Sequence, residues 1–293
     1  MTRQEFSDLA KRGIVLLDGA TGSNLRAAGM PVGVCVEDWV LSHPDVIIDL
    51  QTRYADAGSD IIYAPTFGAN TANLSMYGMA DRAADMNRRL VDLTRRAVGD
   101  RARIAGDMTT LGKPADAPDG YTYDAMVEIY AAQARALCDA GVDLFAVETM
   151  LGVTECCAAI EAIRAECDMP IICTLTLDGV GKAYFDGDAE SAAAHLPAMG
   201  ADAIGVNCGQ GPELFENVVR TLATGGVPVA AKPNAGLPQV QPDGTCIYSM
   251  TPTRFARALG ALVRAGATII GGCCGTNPDY IYALAQFRNM ELT

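Results

Sequence analysis

The chain has 293 residues, half of them hydrophobic, enough to bury a full-sized core and compatible with a single α/β barrel of about 250 residues. Its formal net charge is −13. That acidity excludes nucleic acid and anionic membrane surfaces as partners, because both need basic counterparts.

Residues 1–12 are polar and charged and carry no apolar secretory core. No apolar run approaches the roughly 20 residues of a membrane span. A cytoplasmic location is therefore expected.

Along the chain, short apolar runs rich in β-branched residues alternate with stretches of helical periodicity. The first strand is expected at 14–17, followed by a long loop, 22–42. His43-Pro44-Asp45 opens a helix that runs to Ala57 and is closed by Gly58. Strand 60–64 precedes helix 81–98; strand 103–105 precedes a second long loop, 107–122, and helix 123–140. Strands 144–147, 171–176 and 203–206 precede helices 153–166, 188–199 and 212–223. Strand 227–231 leads to helix 251–265, and strand 268–271 to the last helix, 278–288. Pro in the first turn and Gly just past the end mark several helices. The phrases "AGSD", "AGVD", "MGAD" and "AGAT" each join a helix to the next strand, one loop solution used four times.

Eight strand–helix units make a single (β/α)₈ TIM barrel over residues 1–293 the expected fold. An open doubly wound sheet is the competing architecture, but no Gly-x-Gly-x-x-Gly follows the first strand. Both long loops follow a strand, which places them on the catalytic face of a barrel.

Ten cysteines in a cytosolic enzyme point to thiol, metal or catalytic chemistry. Cys138, Cys156, Cys157, Cys167 and Cys173 sit in apolar contexts and are expected as core residues; Cys35 and Cys246 fall in loops without an assigned role. Cys208 ends the sixth strand, and Cys273 and Cys274 end the eighth, flanked by glycines. Side chains from alternate strands share a layer inside a barrel, so the three can converge across the seventh strand. Neighbours on a regular strand point to opposite faces, so convergence requires the chain to bend at Cys273 and Cys274. Three thiolates suit zinc, and an open fourth position marks a catalytic rather than a structural site. No fourth cysteine matches, and His43 and His195 fall in or beside helices. A vicinal disulfide, inert packing or a phosphate-binding turn at Gly271-Gly272 are the competing interpretations of the motif.

"VNCG" followed some 65 residues later by "IIGGCCGTNPDYI" resembles the homocysteine S-methyltransferase family. "LLDGATGSNL", "PTFGAN", "VETM" and "KPNAG" extend the likeness over nearly the whole chain, and the homocysteine-binding domain of cobalamin-dependent methionine synthase is the nearest form. The resemblance implies that Cys208, Cys273 and Cys274 ligate Zn²⁺ and that homocysteine sulfur takes the fourth position, with methionine as product. It implies that Asp18 and Glu148, each at a strand end, are the catalytic-site acids that meet the substrate's amino group. Backbone N–H groups at Gly19, Ala20 and Thr21 are placed to hold its carboxylate. Asn207, with Asn234, is expected to orient the ligands.

The sequence ends at Thr293, directly after the eighth helix, so the methyl donor is expected to be a small molecule or to arrive on another protein. The "GGCCGT" form resembles the corrinoid-dependent enzymes, which favours cobalamin on a separate methylated corrinoid protein. A small sulfonium donor, S-methylmethionine or S-adenosylmethionine, is the alternative, with Tyr63, Phe67 and Tyr77 as aromatic partners. Two further possibilities are a non-catalytic zinc- or thiol-binding module and a Schiff-base barrel enzyme using Lys232.

Overall fold

The computed structural model describes residues 1–115, 117–241 and 246–291. Eight parallel strands form one sheet: Val15–Leu16, Ile61–Tyr63, Arg103–Met108, Leu144–Met150, Ile171–Leu175, Ala203–Asn207, Val229–Lys232 and Ala267–Ile270. Each pairs with its sequence neighbour from the second to the eighth, and the eighth pairs with the first. The remaining seam, between first and second strands, is closed by Asp60. Its N–H donates to the Leu16 carbonyl at 2.7 Å, and its Oδ2 accepts from the Leu16 N–H at 2.7 Å. The (β/α)₈ barrel expected from the sequence is the observed fold.

Alternation along the strands divides the core. Val15, Leu17, Ile61, Tyr63, Ala105, Leu144, Ala146, Ile172, Ala203, Ala230 and Ile269 form one buried cluster inside the barrel. Their strand neighbours, such as Leu16, Ile62, Phe145 and Val206, belong to a second, larger cluster with the helices. Both faces are buried, which is why the strands read as continuous apolar runs.

The four repeated loops share a left-handed glycine: Gly58, Gly141, Gly200 and Gly266 have φ of 106°, 76°, 107° and 123°. Three also share an aspartate that fastens the preceding strand of the barrel. Asp60, Asp143 and Asp202 accept from the N–H groups of Leu16, Ile104 and Ile171 at 2.7–2.9 Å. The fourth loop has Thr268 instead, whose buried hydroxyl has no partner.

Several elements differ from expectation. A helix, Arg3–Lys11, precedes the first strand; Thr2 and Glu5 form a reciprocal capping box, and Phe6 joins the inner cluster. The spacing Thr-x-x-Glu was its sequence signal. The loop 22–42 holds two short helices, Gly22–Ala27 and Val36–Ser42, and Cys35 is buried at the start of the second. Cys246 lies on an exposed two-residue strand paired with Gln239–Val240. Among the described residues, no helix is long and apolar enough to cross a membrane.

Asp60 also pairs with Arg288 at 2.6 Å, tying the last helix to the seam. Asp60→Ala removes that pair and leaves the Leu16 N–H without its acceptor. The expected cost is about 2 kcal/mol, seen as a fall of roughly 4–8 °C in Tm by calorimetry. An unchanged Tm contradicts this role for the seam.

Candidate metal centre

The sulfurs of Cys208, Cys273 and Cys274 lie within 4.8 Å of one another, with Cys208 Sγ and Cys274 Sγ 4.0 Å apart. A tetrahedral metal with Zn–S near 2.3 Å separates its sulfurs by about 3.8 Å. The donor set and its spacing therefore fit a zinc-sized ion with little movement.

Backbone geometry outside the strand regime makes the convergence. Cys208 has φ of 59°, a left-handed conformation costly for a residue with a Cβ. Its N–H donates to the Lys232 carbonyl at 3.2 Å. The eighth strand ends at Ile270, before the paired cysteines, and Gly275 turns the chain at φ 82°. Cys273 N–H donates to Pro233 O at 2.8 Å, and Cys274 O accepts from Ala235 N–H at 2.9 Å. Thr276 Oγ1 donates to the Cys273 carbonyl at 2.8 Å. The end of the seventh strand thus grips both cysteine segments, one on each side.

Asn207, fully buried, braces this arrangement. Its Oδ1 accepts from the Thr149 N–H and the Thr174 hydroxyl, both at 2.8 Å, and its Nδ2 donates to the Thr149 hydroxyl at 2.7 Å. Thr149 is the other described non-glycine residue with positive φ, at 60°. Both strained residues line the same cavity of about 270 Å³. Asn234 is buried too, and its side-chain oxygen has no partner.

The sulfurs titrate as a unit. Hydrogen bonds with Cys273 and Cys274, then burial, push the Cys208 thiol up, whereas hydrogen bonds from Cys208 and Cys273 pull Cys274 down. Close like charges oppose one another, so a cation among the three sulfurs would favour their ionisation.

A second charged group borders the sulfurs. Lys232 Nζ lies 3.3 Å from Asp18 Oδ1 and 3.2 Å from Glu148 Oε2, and 4.1 Å from the centroid of the Tyr63 ring. Burial opposes the lysine's charge, but Glu148 and Asp18 outweigh it and its pKa goes up. An amine whose charged form is favoured by two carboxylates is a poor Schiff-base nucleophile, which disfavours that alternative. Burial pushes Glu148 up to about 7 against the pull of Lys232. Asp107, which the sequence reading placed at the start of a loop, lies near the end of the third strand. It lines the cavity, and its pKa is raised by burial and by Glu148.

The cavity brings together Ala20, Thr21, Glu148, Lys232 and the three cysteines. Asp18, Gly19 and Asn207 are not among the residues lining it. Asp18 is 1% exposed, and its Oδ2 accepts from the Tyr63 N–H at 2.9 Å. The Ala20 N–H already donates to Thr276 Oγ1 at 3.1 Å. Phe67 also lines the cavity, while Tyr77 does not.

Comparison with known proteins bears on the family and the fold. The sequence model described as homocysteine S-methyltransferase matches residues 15–288. Methionine synthase of Mycobacterium leprae is 31% identical over 94% of this chain, and that of Mycobacterium tuberculosis 30% identical over 96%. The chain spans about a quarter of the length of these curated relatives, 24% and 25%. The homocysteine methyltransferase MmuM from Escherichia coli, in its oxidized form, superposes with a TM-score of 0.80 at 23% identity, covering 96% of this chain and 98% of that one. This structural likeness bears on the fold.

Lys232→Met leaves Asp18, Glu148 and Asp107 buried without their cation. Near neutral pH the metal-free variant is expected to lose about 3–5 kcal/mol in urea unfolding. A carboxyl whose folded pKa lies above its unfolded value contributes stability that is present below the unfolded pKa and lost as pH rises through the folded one. Without Lys232 these pKa values rise further, so the deficit against wild type should shrink from pH 8 toward pH 5. A deficit independent of pH contradicts the assignment.

Proposed function

Because the chain belongs to the homocysteine S-methyltransferase family, a family of methyltransferase enzymes, we propose that residues 1–293 form one barrel domain that methylates homocysteine at a zinc ion held by Cys208, Cys273 and Cys274. The observation that carries this is the meeting of three sulfurs from two strands at the wall of one small cavity. Zinc in that position would strip the proton from an incoming thiol, while an all-thiolate shell keeps the substrate sulfur electron-rich.

The chain's own residues then bind and orient. The turn at Thr21 and Gly22 lines the cavity beside the sulfurs and offers backbone N–H groups to a carboxylate. Glu148 presents a carboxylate to an ammonium on the facing side. Asn207, the neighbour of Cys208, hydrogen-bonds strained Thr149, the neighbour of Glu148, and so links the sulfur-bearing and acid-bearing strand ends. A cavity of about 270 Å³ suits an amino-acid-sized acceptor rather than a large one.

For the donor, we favour a methyl group carried on cobalamin by a separate corrinoid protein. The likeness of "GGCCGT" to corrinoid-dependent enzymes supports this, and so does the surface. Apart from Tyr282 and Met290, the exposed large hydrophobic side chains among the described residues lie on segments that follow strands, including Val32, Met76, Val180, Leu237 and Val240. An apolar rim at the barrel mouth suits a docking protein better than a free sulfonium. S-Methylmethionine or S-adenosylmethionine remains the alternative, favoured by Tyr63 and Phe67 at the cavity wall.

Reduced, zinc-loaded protein is expected to retain about one zinc per chain, as the three-thiolate set implies, and Cys208→Ala to lose it. Methionine formation from homocysteine with methylcobalamin or a methylated corrinoid protein supports the preferred donor. Turnover with S-methylmethionine alone transfers the assignment to the alternative. Wild type that binds no zinc removes the proposal.

A further inference from the structure

Thr276, which closes the "GGCCGT" segment, is 1% exposed and is not among the residues lining the cavity. It nevertheless bonds to two turns that do line it. Its Oγ1 donates to the Cys273 carbonyl at 2.8 Å and accepts from the Ala20 N–H at 3.1 Å. Its own carbonyl accepts from Asn24 Nδ2 at 2.8 Å. The same Nδ2 donates to the Ala20 carbonyl at 2.7 Å, and so does Tyr54 Oη, also at 2.7 Å. Both polar groups of the Ala20 backbone are therefore held. One residue back, Gly275 N–H donates to Ser23 Oγ at 3.3 Å.

These bonds take over where the sheet stops. The first and eighth strands pair only through Val15 with Ile269 and Leu16 with Ile270. Past Gly272, whose N–H donates to the Asp18 carbonyl at 3.1 Å, the sheet no longer sets the register of the two chains. Thr276 and Asn24 set it instead. The hydroxyl uses its single proton toward one turn and a lone pair toward the other, so a shift of either turn breaks a bond. There is no slack around it. A side chain at Gly19 would put its Cβ 2.9 Å from Thr276 Oγ1, and one at Gly272 would put it at 2.4 Å.

Resting on the zinc–thiol reading above, we propose that Thr276 is a positioning residue that sets the chain length of the acceptor, by holding the Ala20–Ser23 wall of the cavity at a fixed distance from the metal-binding sulfurs. An acceptor held by its thiol at the cysteines and by its carboxylate at the Thr21–Gly22 turn must span that distance. Homocysteine and cysteine differ by one methylene along this span, so a fixed separation satisfies both ends of only one of them. Without the hydroxyl the buried Ala20 N–H loses its acceptor, and the turn must move to find another. The sulfur side does not depend on this bond. Cys273 N–H and the Cys274 carbonyl stay bonded to Pro233 and Ala235, and the Cys273 carbonyl keeps the Thr276 N–H at 3.1 Å. The substitution therefore separates the two ends of the acceptor site and leaves the metal end intact.

The test is calorimetric titration of the zinc-loaded, reduced chain with L-homocysteine, with L-cysteine and with 2-mercaptoethanol, which has a thiol but no amino-acid end. Wild type should bind homocysteine roughly 10- to 100-fold more tightly than cysteine. Thr276→Val, which keeps the shape and removes the hydroxyl, should narrow that preference to less than about 3-fold by weakening homocysteine alone. Binding of 2-mercaptoethanol should change by less than about 3-fold, with zinc content unaltered. Thr276→Ser restores the hydroxyl and should restore the wild-type preference. Equal wild-type affinity for the two amino acids overturns the proposal however the variants fold. So does a wild-type preference in Thr276→Val, or a serine variant that behaves like the valine one. Equal weakening of all three thiols, or loss of zinc, marks a merely structural threonine and overturns it as well. If Thr276→Val does not fold, Asn24→Ala, which cuts the parallel tie, must narrow the same preference, and an unchanged preference overturns the proposal. Wild type that binds zinc but none of the thiols instead defeats the underlying thiol-acceptor reading, and this proposal with it.

Discussion

Three sulfur atoms from two strands must share a space smaller than 5 Å, and the architecture of the barrel mouth follows from that demand. A regular strand cannot deliver it. Cys208 is bent into a left-handed conformation, and Cys273 and Cys274 lie beyond the end of the eighth strand. The end of the seventh strand, from Lys232 to Ala235, bonds to both segments and sets their separation. Electrostatics adds a second demand. Hydrogen bonding among the thiols pushes Cys208 up and pulls Cys274 down, so the three sulfurs titrate as one group.

The same segment supplies Lys232, so the sulfur cluster and the acid cluster are mechanically linked. Lys232 gives its carbonyl to Cys208 and its ammonium to Asp18 and Glu148. Thr149, next to Glu148, is strained and held by Asn207, next to Cys208. A shift in either cluster is therefore felt by the other. Strain at Cys208 and at Thr149, the latter restrained by one buried amide, fits a site whose geometry is fixed before ligand arrives.

Much of this was legible in the sequence. Continuous apolar runs gave the strands, because both faces of each are covered. The four glycine loops gave the strand starts, because a left-handed residue ends each helix there. The cysteines declared themselves by ending strands six and eight. Other features left no local trace. Asp107 interrupts an apolar run with a carboxylate and so read as the start of a loop, although its strand continues to Met108. Lys232 looked like a free amine, because its partners Asp18 and Glu148 are distant in sequence and meet it only through barrel closure. The aspartates of the repeated loops were visible, but their hydrogen bonds to the preceding strand depend on register. The N-terminal helix was missed although Thr2 and Glu5 carried its capping signal.

The proposed function rests on a thiol site at the barrel mouth with three sulfur donors and one position open. X-ray absorption at the zinc edge of the reduced, zinc-loaded chain tests that directly. Three sulfur neighbours near 2.3 Å are expected, with one lighter atom, and a fourth sulfur when L-homocysteine is added. A shell dominated by nitrogen or oxygen, or one that homocysteine leaves unchanged, would contradict it.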